Sequence, residues 1–301
     1  MPFAVPFAAL PYVASLILWS AIGVTIFAAT LARLGADWKL IATLVASPAA
    51  VFCLISGQSS LITAAMILGA FSLLDRRPLL AGVLIGLLTL KPQLGLLFPV
   101  MLVASGRWRV FASATVTALA LALATTALFG VDVWRDFVTM GLPVQREVLA
   151  DPYLVATPFY VTIFMNVRGL DAPFAVAMAA QLVFTLGAVV LTWAAFTRRR
   201  DADPALLTAL FLAASVAATP YMLSYDSLSL AVAAIALLAS GKLEGRGRLL
   251  GQLAFWLPLI QITLGALHIP GPALIAPAFG LWVAALIGLV RLPRSMAAQP
   301  G

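Results

Sequence analysis

An all-α, polytopic integral membrane protein is the fold class this sequence predicts, and three observations carry it. Of 301 residues, 63% are hydrophobic and 10% charged, whereas a soluble domain carries about 25% charged residues. Mean hydropathy is +1.09. Apolar stretches follow one another along nearly the whole chain, longer than strands, with Lys and Arg gathered in alternate breaks between them.

Taken in order, 8–31 is long enough to cross a bilayer and leads to Arg33 and Lys39. Stretches 41–56 and 61–74 form a hairpin that turns at Ser56-Gly57-Gln58-Ser59-Ser60 and returns to Arg76 and Arg77. A second hairpin, 78–90 and 93–105, turns at Lys91-Pro92-Gln93 and returns to Arg107 and Arg109. At 1.5 Å per residue each of its arms is about 20 Å long, short of a hydrocarbon core of roughly 30 Å. Stretch 110–130 leads out to segment 131–171, and 172–196 leads back to Arg198-Arg199-Arg200. The pair 204–220 and 223–240 turns about Thr219-Pro220-Tyr221-Met222-Leu223-Ser224-Tyr225-Asp226 and ends at Lys242, Arg246 and Arg248. The last two, 249–268 and 272–290, turn near His268 and finish at Arg291 and Arg294.

Counting every stretch gives about eleven membrane segments, with all the basic clusters on one side. Arg135, Arg146 and Arg168 are left outside and Lys91 within the membrane. The positive-inside rule then predicts an N-out, C-in chain in a cell inner (plasma) membrane, one transmembrane domain over 1–301. Its extracytoplasmic loop is 131–171, part of which reads as an interfacial amphipathic helix broken near Pro143.

Composition also excludes. Cys53 is the only cysteine and lies in an apolar run, so there is no internal disulfide and no basis for a zinc site. With His268 as the only histidine, multi-histidine metal sites and Ser-His-Asp catalysis have little to work with, and no metal or cofactor is expected. The net charge of +7 reflects loop charge rather than a nucleic-acid partner. No positive n-region precedes the first stretch, which argues against a cleaved signal peptide.

Lys91 is the only lysine inside the apolar body. A charge there costs about 2.5–3.5 kcal/mol on insertion scales, so it faces a polar cavity with a partner or snorkels to the interface. Pro92 removes a backbone donor beside it and exposes carbonyls. Gly57-Gln58, Lys91-Gln93 and Tyr225-Asp226 all fall at outer turns and are expected to line one outward-facing cavity. Asp226 reads equally as a cap for the helix after it, and Gln58 as an ordinary turn residue.

Several of these stretches together resemble a known family. They are Pro2-Phe3-Ala4-Val5-Pro6-Phe7 with Leu10-Pro11-Tyr12 and Trp19, Ser56-Gly57-Gln58, the run from Arg77-Pro78 through Gly82 and Gly86 to Lys91-Pro92-Gln93, Gly106-Arg107-Trp108-Arg109, Thr219-Pro220-Tyr221, and Tyr225-Asp226. The pattern is similar to family 87 glycosyltransferases of the GT-C superfamily, membrane enzymes typified by polyprenyl-phosphate-mannose-dependent mannosyltransferases. The resemblance implies a GT-C-like helical bundle that moves mannose or a related sugar from a polyprenyl-phosphate donor to an extracytoplasmic lipid or glycan acceptor, with inversion. Lys91 would meet the donor phosphate, Gln58 and Gln93 would add hydrogen bonds, and Arg146 would close over it. Tyr225 and Asp226 would complete the binding site. Such enzymes place a catalytic aspartate in a loop after their first helix, and this chain is expected to lack both, which leaves the catalytic residue unknown. A transporter, flippase or donor-binding pseudoenzyme for lipid-linked sugars is the alternative.

Overall fold

The computed structural model describes residues 5–151, 159–267 and 269–291. Pro2, Phe3, Ala4, His268 and Arg294 lie outside the described residues, as does the middle of the expected outer loop. Fourteen helices are labelled here: α1 Tyr12–Arg33, α2 Trp38–Val45, α3 Pro48–Ile55, α4 Ser60–Leu73, α5 Pro78–Leu87, α6 Phe98–Ala104, α7 Trp108–Phe129, α8 Leu142–Ala150, α9 Ile163–Arg168, α10 Phe174–Arg198, α11 Pro204–Ala218, α12 Leu228–Ala239, α13 Gly245–Ala266 and α14 Ile275–Leu286. Among the described residues there is no named strand, only an isolated antiparallel bridge between Tyr160 and Leu223.

Length separates these helices into two sets. α1, α7, α10 and α13 are long and apolar enough to cross a membrane. The pair α2 and α3, bent by 53°, makes a fifth if counted as one span. Six further apolar helices are shorter. The bend has a local cause: Ser47 caps α3, accepting from the Ala50 amide at 3.4 Å, and Pro48 at its start cannot continue α2.

Small residues set the closest helix pair. α5 lies along α7 with Gly82 against Val110 and Ser113, and Gly86 against Ala114 and Thr117. A Cβ on Gly82 would stand 2.4 Å from the Ser113 Cβ and 2.6 Å from the Val110 carbonyl oxygen. On Gly86 it would stand 2.5 Å from the Thr117 Cβ. This Gly-x-x-x-Gly spacing puts both glycines on one face, so two backbones can approach where no hydrophobic force separates protein from lipid. The Ser113 hydroxyl uses that proximity to donate to the Leu79 carbonyl at 2.7 Å.

The matching order of contacts makes α5 and α7 parallel. Chain between them must therefore run out and back, which establishes the second hairpin. Its two ends are joined where Arg107 Nη2 meets Asp75 Oδ1 at 2.8 Å. Its tip is Lys91-Pro92. Inside the bundle, an aromatic ladder links the hairpin to its surroundings: Phe98 stacks on Phe211 with centroids 4.7 Å apart, and Phe71 and Phe196 meet the same Phe211 ring.

At the charged ends, Asp203 caps α11 by accepting from the Ala205 amide at 2.8 Å and pairs with Lys242. The Lys242 ammonium holds the Asp203 carboxyl below its ordinary range. A depressed carboxylate pKa stabilises the fold above its unfolded value and loses that contribution as pH falls through the folded value. Asp203→Ala is thus expected to lower stability by about 1 kcal/mol at neutral pH through the lost cap. The half-exposed ion pair itself adds little. Thermal unfolding in detergent checks this, and the deficit should vanish as pH drops below the folded carboxylate value.

The described parts of segment 131–171 are structured. Its first part is helical through Asp132–Asp136, a π turn at Phe137–Gly141 and α8, with Phe137, Val138, Met140 and Val144 exposed as an amphipathic surface. Pro143 lacks the amide that would bond four residues back, which accounts for a break in register just before it. The later part packs into the bundle. Tyr160, Val161, Thr162, Ile163, Phe164 and Met165 are buried, and Arg168 is only 8% exposed. Arg168 donates to the carbonyls of Ala150 at 2.8 Å and Ala172 at 2.7 Å, tying the end of α8 to the start of α10.

Candidate functional site

Three breaks converge on Lys91. At the first break, α3 ends in a Schellman motif: Gly57 takes a φ of +61°, its amide bonds Leu54 O, and the Gln58 amide bonds Cys53 O at 2.9 Å. That turn delivers Ser60 to the start of α4. At the second, Pro92 forces Lys91 out of the helical region, to φ −138° and ψ 77°, ending the 3₁₀ turn Leu88–Leu90. The third begins where Pro220 stops α11 and Thr219 turns extended (ψ 134°). Residues up to Leu223 stay irregular, and a 3₁₀ turn, Ser224–Ser227, then leads into α12.

A buried polar layer fixes the third break. Thr219 follows the end of a helix whose last carbonyls need donors. Gln181 Nε2 supplies one to Ala217 O at 2.9 Å, and Thr185 Oγ1 another to Ala218 O at 2.7 Å. The segment 159–162 then clamps the extended strand: Val161 N donates to Met222 O, Ser224 N to Phe159 O at 2.7 Å, and Thr162 Oγ1 to Pro220 O. Asn166 Nδ2 reaches Tyr160 O, Thr162 O and Gln261 Oε1, so α9 and α13 brace the clamping segment.

The result is a three-residue charged knot. Lys91 Nζ meets Asp226 Oδ1 at 2.6 Å and Ser60 Oγ at 3.3 Å, and Ser60 Oγ donates to the same Oδ1 at 2.5 Å. The Tyr225 ring lies 4.9 Å from Nζ. The side chains of Lys91 and Asp226 are 13% and 2% exposed. An ammonium has three N–H donors. Here they face a carboxylate, a hydroxyl and an aromatic ring.

The expected site residues thus separate. Lys91, Tyr225 and Asp226 are brought together, and the Asp226 carboxylate is spent on Lys91 and Ser60 rather than on a cap. Gln58 is half-buried next to them, and its backbone carbonyl accepts from Trp19 Nε1 at 3.3 Å and Cys53 Sγ at 3.1 Å. Gln93 is half-buried one residue past Pro92. Arg146 stands exposed on α8. Ser60 was not anticipated; its only sequence signal was a small hydroxyl at the end of the first turn. Among the described residues no cluster of three or more His, Cys, Asp or Glu is placed to hold a metal ion.

A helical bundle of long and short apolar helices, knotted about a buried lysine at broken helix ends, defines a membrane protein built around a polar site. Its family follows from comparison. The profile of Glycosyltransferase family 87 matches residues 1–224, and the chain belongs to that family. It is accordingly a membrane glycosyltransferase, using a sugar donor and an acceptor. The matched span contains Gln58, Ser60, Lys91, Gln93 and Arg146 and stops just short of Tyr225 and Asp226. No curated protein and no solved structure matches the chain significantly.

Proposed function

We propose that the protein transfers mannose or a related sugar from a polyprenyl-phosphate donor to an extracytoplasmic lipid or glycan acceptor at the inner membrane. The bundle would cross that membrane about eleven times, N-out and C-in, with the Lys91 tip toward the outer face. The observation that carries the reading is Lys91 itself. A family 87 chain places its one lysine of the apolar body at the broken tip of a short hairpin, largely buried, beside a carboxylate.

In this reading the glycosidic bond from the anomeric carbon to the phosphate oxygen breaks, and the acceptor oxygen takes its place. The acceptor proton leaves, and polyprenyl phosphate departs with the electron pair. Lys91 offers a point charge to the phosphate on both sides of that step. Gln58, two residues before Ser60, and Gln93, two after Lys91, would add hydrogen bonds, and Arg146 on α8 would supply a second cation. Tyr225 and Asp226 form the wall against which Lys91 is held.

Reconstitution of the purified protein in liposomes with radiolabelled polyprenyl-phosphate mannose and a lipid extract as acceptor is the test. The expected result is label moving into a new lipid or glycan. Donor binding without any transfer would replace this reading with a transporter or donor-binding pseudoenzyme.

A further inference from the structure

The resting site carries no net charge, and that has a consequence for which phosphate it holds. Lys91 already bonds Asp226 Oδ1 and Ser60 Oγ and lies beside the Tyr225 ring. An incoming phosphate must therefore share or replace the Asp226 carboxylate rather than fill a vacant place on the lysine. Both the Lys91 and the Ser60 bond go to Oδ1, so the carboxylate is anchored from two sides, and it is held from behind by the clamp of 159–162 on the strand 220–224. It stays beside whatever anion Lys91 receives.

We infer that Asp226 is a specificity-determining residue that makes the Lys91 site favour a singly charged phosphodiester over a doubly charged phosphomonoester. This rests on the reading of Lys91 as the phosphate-binding cation. A sugar-linked polyprenyl phosphate is a diester with one negative charge. The polyprenyl phosphate left after transfer is a monoester carrying about −1.5 to −2 near pH 7. An isolated lysine would prefer the more highly charged product. A fixed carboxylate alongside offsets that preference, because its repulsion grows with each added ligand charge just as the lysine's attraction does, and the greater cost of burying a dianion then favours the diester. The same side chain that neutralises Lys91 at rest thereby lets the product go.

The test compares two ligands differing in charge: polyprenyl phosphate and its methyl diester, titrated against the full chain in nanodiscs. In the wild-type protein the methyl diester is expected to bind more tightly. Tighter binding of the monoester overturns the inference without any variant being needed. Asp226→Asn is then expected to strengthen monoester binding by about tenfold relative to the diester, reversing the order. Asp226→Glu should restore the wild-type order, which a purely structural role for the carboxylate would not require. An unchanged ratio in Asp226→Asn also overturns it. Failure of the parent reading has a different signature: neither lipid binds the wild-type protein, or Lys91→Arg and Lys91→Met bind both as well as wild type does.

Discussion

Lys91→Met is expected to abolish binding of a polyprenyl phosphate and at the same time to destabilise the protein by about 3–5 kcal/mol. The second effect follows from the pairing. Methionine fits the space of the lysine stem but leaves the Asp226 carboxylate, 2% exposed, without a counter-ion. A single substitution therefore confuses loss of ligand with loss of fold. Adding Asp226→Asn removes the stranded charge while keeping a group that Ser60 can bond. The double variant should recover most of the thermal stability of the wild-type protein and none of its phosphate binding. Thermal unfolding and ligand titration on the four members of this cycle separate the two roles. Recovery of binding in the double variant would remove Lys91 from the phosphate site.

Gly82→Leu with Gly86→Leu should prevent assembly of a compact bundle. Overpacking a well-filled contact costs about 1–3 kcal/mol per site, and more where the obstacle cannot move. Here part of the obstacle is backbone: the Val110 and Ala114 carbonyl oxygens each lie 2.6 Å from where a Cβ would go. The added side chains would push α5 off α7 and carry the Lys91 tip with them. Size-exclusion chromatography in detergent should show an aggregated or expanded species. Gly187→Leu, on α10, is the control, since nothing lies within 4 Å of its added Cβ. That variant should elute and melt like the wild-type protein.

Legibility in the sequence followed chemical exceptions. A lysine in an apolar run, a proline beside it, and a Ser-Gly-Gln turn each break a local rule, and each turned out to position part of the site. Asp226 was visible as an acid at a break, but its partner was not. Nothing in spacing alone says that a carboxylate caps its own helix or reaches across 135 residues to Lys91. Ser60 was hidden for the same reason. In the outer segment, the burial of Tyr160-Val161-Thr162-Ile163-Phe164-Met165 was not legible, because a run that short is too short for a span. Its burial depends on Gln181 and Asn166 meeting its backbone and on Gln261 holding the Asn166 side chain, polar residues whose helical positions look unremarkable one at a time. The Gly82-x-x-x-Gly86 spacing was in plain view and did carry the α5–α7 contact.

Biogenesis places its own demand on this ion pair. Lys91 and Asp226 are separated by 135 residues, and Ser60 and Asp226 by 166. Chains grow at roughly 5–20 residues per second. In the proposed topology the second hairpin would enter the bilayer on the order of ten seconds before its counter-ion is synthesised. During that interval Lys91 is a lone cation, and the shortness of the arms lets it lean toward the aqueous face and wait there. Only arrival of the turn Ser224–Ser227, with Asp226, would draw it down. The site is consequently among the last features to form, and membrane quality control that senses unpaired intramembrane charge would see every unfinished copy of this chain.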